Sequence, residues 1–195
     1  MVCPTTGKIL EYRDLTKVPE LRETWIKSLA NEMGRLAQGI RDIKGTNTIY
    51  FIDKSEMPKD RLQQVTYARI VVGYKPDELE KYRTRVTVGG DRIHCGYDIS
   101  APTCSLPTIK LLWNSVLSTP GAKYFTMDIS NFYLGTPMEK PEYMRMPLKL
   151  MPEEIVKKYN LKELENDGWV YIKIVRGMYG LPQAGKIANE LLKSV

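Results

Sequence analysis

Residues 124–137, YFTMDISNFYLGTP, set a single carboxylate, Asp128, inside a run that otherwise reads as a half-buried strand. Alternation across 122–129 separates Ala122, Tyr124, Thr126 and Asp128 from Lys123, Phe125, Met127 and Ile129. It predicts a strand whose Phe125, Met127 and Ile129 face the core, with Asp128 ending the open face and a turn following at Gly135 and Pro137. The acid has two readings. Joining nucleotides calls for hard cations held by carboxylates at an open strand end, whereas an aspartate there can equally cap the turn at Ser130–Asn131.

Upstream of this stretch, SLPTIKLLWNSVLSTPG carries Ile109, Leu112, Trp113, Val116 and Leu117 at helical spacing after Pro107, which predicts a helix packed on a sheet. Further upstream, QVTYARIVVGY and KYRTRVTVGGD flank KPDELE and read as an antiparallel hairpin closed by Gly89-Gly90-Asp91. The second strand sets Lys81, Arg83 and Arg85 on one face. That stripe suits an anionic ligand, or equally a solvated face whose cations deter edge pairing. Before the hairpin, PELRETWIKSLANEMGRLAQG repeats Leu21, Trp25, Leu29, Met33 and Leu36 as an amphipathic helix that Gly39 can stop, and TIYFI is a short strand.

Downstream, PEYMRMPL reads as a short strand, MPEEIVKKYNLKELENDG as a helical region, and WVYIKIV as a strong strand after the Asp167-Gly168 turn. RGMYGLPQAGKIANELLKSV supplies a glycine-punctuated loop and a last helix. Its glycines suit close backbone approach to a ligand and Gln183 can donate and accept at once, although Gly-Leu-Pro before a helix is also a plain junction. The order predicts an α+β fold, an antiparallel sheet with helices packed on it.

At 195 residues with 43% hydrophobic and 27% charged content, the chain can build a core without staples. Cys3, Cys95 and Cys104 are an odd number without CxxC spacing, so reduced thiols are expected rather than a disulfide or zinc framework. His94 beside Cys95 reads as a surface turn residue, since no second pair completes a metal site. No apolar run is long enough for a membrane span and the N-terminus lacks a signal-peptide core, so an intracellular protein is expected. A formal charge of +6 favours polyanionic partners.

Three blocks, in order, resemble the reverse transcriptase of copia-type LTR retrotransposons. RTRVTVGG is similar to that family's fingers run of basic-R-L-V-V-x-G, TMDISNFYLGTPMEKPEYMRMP to its D-V-K-x-A-F-L-N-G block followed by Y-M-x-x-P, and VRGMYGLPQAGKIA to L-Y-G-L-K-Q-A-P-R-A-W. The connecting DRIHCGYDISAPTCSLPTIKLLWNSV resembles the stretch ending in A-P-V-x-x-x-x-x-I-R-x-L-L, so the likeness spans roughly residues 65 to 193.

The resemblance implies a right-hand polymerase: an N-terminal helix and fingers over about 1–121, and a partial palm with the Gln183 motif over about 122–195. It implies RNA-directed DNA synthesis from a primer–template and dNTPs, with Mg2+ or Mn2+. Asp128 would be a catalytic metal ligand and Ile129 would offer its backbone carbonyl. Tyr133 would be the steric gate at the sugar 2′ position. Lys81, Arg83 and Arg85 would hold the triphosphate, and Gln183 would contact the incoming nucleotide. Gly185-Lys186-Ile187 depart from the family's P-R-A, so the carried-over roles stop at Gln183.

The family's Y-x-D-D block, which brings two more carboxylates, is not in this sequence, nor are thumb, connection and RNase H. The chain is therefore expected to be a fragment of a transposable-element polyprotein, inactive alone, working with the remainder of that polyprotein in the cytoplasm, a virus-like particle or the nucleus. The alternative is a catalytically inactive nucleic-acid-binding or structural remnant.

Overall fold

The computed structural model describes residues 9–194 as a mixed α+β fold around a curled five-stranded sheet of order β1-β5-β4-β2-β3. The elements are α1 (Tyr12–Leu15), α2 (Pro19–Leu36), β1 (Ile49–Ile52), β2 (Thr66–Tyr74), β3 (Tyr82–Val88), α3 (Leu106–Ser118), α4 (Phe132–Gly135), β4 (Pro137–Pro147), α5 (Glu153–Lys158), β5 (Trp169–Arg176) and α6 (Ala184–Lys193). Cys3 lies outside the described residues. Among those described, no helix is long and apolar enough to cross a membrane.

The long first helix and the hairpin form where expected. α2 opens with Pro19 at its start, where a missing N–H costs nothing. It closes before Gly39, whose φ of 99° lets the chain reverse. Trp25, Leu29, Met33 and Leu36 are all fully buried, and β2 pairs antiparallel with β3 from Ala68↔Val88 to Tyr74↔Tyr82. The sheet is not wholly antiparallel, because β2 meets β4 in parallel at Thr66↔Met144 and Tyr67↔Arg145. β4 runs antiparallel to β5 with a register shift between Pro137 and Glu142, where two prolines in one strand deprive the ladder of donors.

β3 lies at the sheet's edge, yet several of its outward backbone groups are occupied. Ser28 Oγ donates to the Tyr82 carbonyl (2.8 Å) and accepts from the Thr84 N–H (2.9 Å). One turn on, Glu32 Oε1 accepts from the Val86 N–H (3.4 Å). Two polar residues four apart on the buried stripe of α2 thus stand in for a sixth strand. Burial pushes the Glu32 carboxyl above its ordinary range, with Arg35 (2.7 Å) opposing that shift. Trp25 meets Tyr82 edge-on at 5.6 Å between ring centroids.

Two expectations fail together. Residues 122–129 form no strand: all are exposed, Phe125 to 80% and Met127 to 77%. Phe125, Met127 and Ile129 therefore do not face a core. α3 forms at the expected place, capped by Ser105, which accepts from the Thr108 N–H, but none of its residues is buried and it does not pack on the sheet. The physical reason is one and the same. An alternating strand and an amphipathic helix gain their stability in water by burying a face, and here neither buries one; the ring contact between them sets Trp113 against Tyr124 at 4.5 Å.

Candidate functional site

The three blocks singled out in the sequence meet in space, and glycines make the meeting possible. The Val88 N–H at the end of β3 donates to the Tyr179 carbonyl at 2.8 Å. A Cβ at Gly180, which has a φ of +93°, would lie 2.2 Å from the Val88 carbonyl oxygen, and one at Gly90 would lie 2.2 Å from the Gly180 oxygen. Neither position has room for a side chain. The Gly177 N–H donates to the Thr136 carbonyl (2.8 Å), and a Cβ at Gly177 would lie 2.6 Å from the Tyr133 oxygen. Gly180, in the loop whose glycines were expected to let backbone approach a ligand, together with Gly90 and Gly177 lets three segments of backbone approach one another.

On top of this weld the side chains form a short stack. The Arg85 guanidinium lies over the Tyr179 ring, 5.2 Å from its centroid, and Tyr179 meets Tyr133 edge-on at 6.2 Å. Gly185 borders the same spot, since a Cβ there would sit 3.9 Å from the Tyr133 hydroxyl. Arg85, Tyr133 and the loop that precedes Gln183 are therefore neighbours. Tyr179 links them and was missed in the sequence; the signal available was an aromatic between two glycines opposite a cationic strand.

The other members of the cationic stripe are placed differently. Arg83 is engaged by Glu78 at 3.0 Å, and hydrogen bonds from Lys75 and Arg83 hold the Glu78 carboxyl below its ordinary range. Lys81 is exposed. Arg69, Val71 and Gly73 stand opposite Thr87, Arg85 and Arg83 across the hairpin, which adds Arg69 to the cationic face, a cross-strand position that pairing alone reveals. At one end Tyr67 donates its hydroxyl to Asp91 (2.7 Å), and Arg92 lies over the Tyr67 ring.

Gln183 is buried rather than open. Its Nε2 donates to Glu142 Oε1 (3.3 Å) and its Oε1 accepts from the Cys95 thiol (3.5 Å). Glu142 in turn pairs with Arg61. Burial, with Glu142 nearby, pushes the Cys95 thiol up, so it stays protonated and can donate. The amide forms part of the wall of a cleft of about 800 Å³ whose lining includes Arg61, Arg92, His94, Tyr97 and Lys186. His94 is exposed in a segment without regular structure.

Asp128 stands apart from all of this. Its carboxylate is exposed and has no hydrogen bond or ion pair among the described residues, so it does not cap the turn. The turn closes instead by Phe132 N–H to Ile129 O (3.3 Å), with Asn131 at a φ of 56°. That bond engages the Ile129 carbonyl within its own turn. Among the described residues no three His, Cys, Asp or Glu side chains gather to hold a metal. One carboxylate and one carbonyl fall short of the six oxygens that Mg2+ requires, so the residues present do not by themselves fit a metal pair.

Comparison with known protein families, with curated proteins and with solved structures gives no match for this chain.

Proposed function

We propose that this chain is the fingers and the first part of the palm of an RNA-directed DNA polymerase resembling the copia-type reverse transcriptases. The observation that carries the reading is the convergence of the three blocks on Tyr179: Arg85 above its ring, Tyr133 at its edge, Val88 bonded to its carbonyl. A guanidinium held over an aromatic ring keeps its N–H fork free for phosphate. A tyrosine beside it, at the mouth of a glycine-lined turn, suits a sugar-contacting role. In this reading the cationic face of β2–β3 grips the phosphates, with Arg85, Lys81 and Arg69 available and Arg83 released from its part-buried ion pair with Glu78.

The chemistry needs more than this chain. Nucleotidyl transfer by two metals requires further carboxylates beside Asp128, which the family carries in its Y-x-D-D block. What this chain contributes is positioning: cations on the phosphates, Tyr133 at the sugar, and one oxygen ligand at Asp128. Gln183 reaches an incoming nucleotide only by exchanging its bonds to Glu142 and Cys95.

Primer extension on poly(rA)/oligo(dT) with Mg2+ tests the reading. The chain alone should be inactive. A longer version continued through a Y-x-D-D hairpin should extend the primer, and Asp128→Ala should abolish that extension. Extension that survives Asp128→Ala would sink the assignment of the acid. A second reading is a non-catalytic nucleic-acid-binding module. It is favoured if the longer version binds primer–template but never extends it, the supporting observation being that no three metal-ligating side chains gather among the described residues.

A further inference from the structure

We propose that Glu78 is a built-in competitor for phosphate on the cationic face of the β2–β3 hairpin, its carboxylate holding Lys75 and Arg83 until an incoming phosphate displaces it. The proposal rests on the reading of that face as a phosphate grip and adds what regulates it.

The arrangement begins in the sequence between the two strands, KPDELEK over residues 75–81. The Lys75 N–H donates to the Lys81 carbonyl at 2.8 Å and closes the hairpin, and the Glu78 N–H donates back to the Lys75 carbonyl at 3.2 Å. Lys75 to Glu78 thus form a turn with Pro76 in its second place, where a fixed φ suits the reversal. The reversal brings the Glu78 carboxylate over the lysine it has just passed and toward β3. Its Oε1 accepts from Lys75 Nζ, and its Oε2 accepts from Arg83 Nη1 at 3.0 Å.

The other acids of the turn are placed differently. Glu80 accepts from Asn31 Nδ2 (2.9 Å) and Arg35 Nη2 (3.1 Å), which fastens the hairpin to α2. Asp77 is exposed and makes no bond or ion pair among the described residues. Glu78 alone meets the cationic face, and among the described residues no other acid pairs with Lys75, Lys81, Arg83, Arg85 or Arg69.

Two features make this carboxylate displaceable. Lys75 and Glu78 are 47% and 38% exposed, so a phosphate can reach their pair from solvent. Glu78 also meets Arg83 through Nη1 alone, while the buried Nε–H of Arg83 has no acceptor among the described residues. A guanidinium presents a planar fork of donors, and a phosphate, with more oxygens than a carboxylate, fills more of that fork. Displacement therefore exchanges one anion for a better one on the same cations. Glu78 lowers the affinity of the face for phosphate without altering the strands that carry it.

The test titrates the chain and its variants with a labelled poly(rA)/oligo(dT) duplex and, separately, with dTTP. Glu78→Gln should tighten binding about three- to tenfold at low salt, and should steepen the log–log salt slope by up to about two, one for each cation set free. Asp77→Asn makes the same change of charge one residue away, without a partner to release, and should tighten binding less than about twofold. In a chain that also carries Lys75→Gln and Arg83→Gln, the gain from Glu78→Gln should shrink to that of Asp77→Asn. A gain with the duplex assigns the displacing group to a backbone phosphate, and a gain with dTTP assigns it to the triphosphate. If Glu78→Gln and Asp77→Asn act alike with both ligands, or if the gain persists without Lys75 and Arg83, the proposal is overturned. The reading of the face then still stands, provided that wild-type binding falls with salt and weakens in Arg85→Ala. Binding that ignores both salt and Arg85→Ala in every variant would remove the reading and the proposal together.

Discussion

Two stretches of this chain read alike as strands, KYRTRVTV and AKYFTMDI, and they end in opposite states. Several outward backbone groups of β3 are met by Ser28, Glu32 and Tyr179, whereas those of 123–128 are met by nothing described. The difference lies outside both stretches. β3 has a helix whose buried stripe includes two polar residues at the right spacing, and a glycine loop that can press against its end. The Asp128 segment has only α3, and an apolar helix offers no backbone partner. Alternation states what a segment can do; the neighbouring element decides whether it does.

Substitutions can break this contrast, and the largest effect is expected from matched tryptophans. Trp25→Ala should cost about 3–5 kcal/mol, because Trp25 is fully buried against Tyr82. Trp113→Ala, which strips an exposed helix of one ring contact, should cost no more than about 1 kcal/mol. Urea unfolding of the two variants measures the gap, and equal losses would mean that α3 is packed after all. Next come matched glycines. Gly180→Ala should cost more than about 2 kcal/mol, since its Cβ would strike the Val88 oxygen. Gly121→Ala, also at positive φ but in open space, should cost about 1 kcal/mol of local strain.

Ser28→Ala should cost about 1–3 kcal/mol by orphaning the Tyr82 carbonyl and the Thr84 N–H together, and should raise hydrogen-exchange rates at Thr84 without changing those of residues 123–128. The smallest effect is a matter of pH. Burial raises the Glu32 carboxyl above its ordinary 4.5 in the folded state, so folding favours its protonated form. Its contribution is therefore fully present below the unfolded value and is lost as pH rises through the raised folded value. The stability of the wild type relative to Glu32→Gln should fall over the pH interval that opens at the ordinary 4.5 and closes at the raised folded value. A rise over that interval would mean that the ion pair with Arg35 outweighs burial.

The helix stripe, the hairpin and the strong strand at WVYIKIV were legible in the sequence because each carries its own period and its own stops. Ser28 and Glu32 were not legible as edge-covering groups, since a polar residue on an apolar stripe has no meaning until the strand beneath it is placed. The parallel contact between β2 and β4 was equally invisible, as pairing over two residues leaves no pattern. At the candidate site Arg85 and Tyr133 stood out by block, but Tyr179, which joins them, did not. Gln183 was legible as a bifunctional amide; that Glu142 and Cys95 already satisfy it depends on chain folding across 41 and 88 residues. Asp128 was expected at the end of a formed strand and instead sits on an exposed segment whose backbone pairs with no strand among the described residues.

The central claim is that the Arg85 face meets nucleic-acid phosphate. Binding to a poly(rA)/oligo(dT) duplex, followed by fluorescence anisotropy across a salt series, tests it for the wild type and for Arg85→Ala. The expected result is affinity that falls steeply with salt, with Arg85→Ala weakening binding and lowering the log–log slope by about one. Binding that is indifferent to salt, or an Arg85→Ala curve that overlays the wild type, would contradict it.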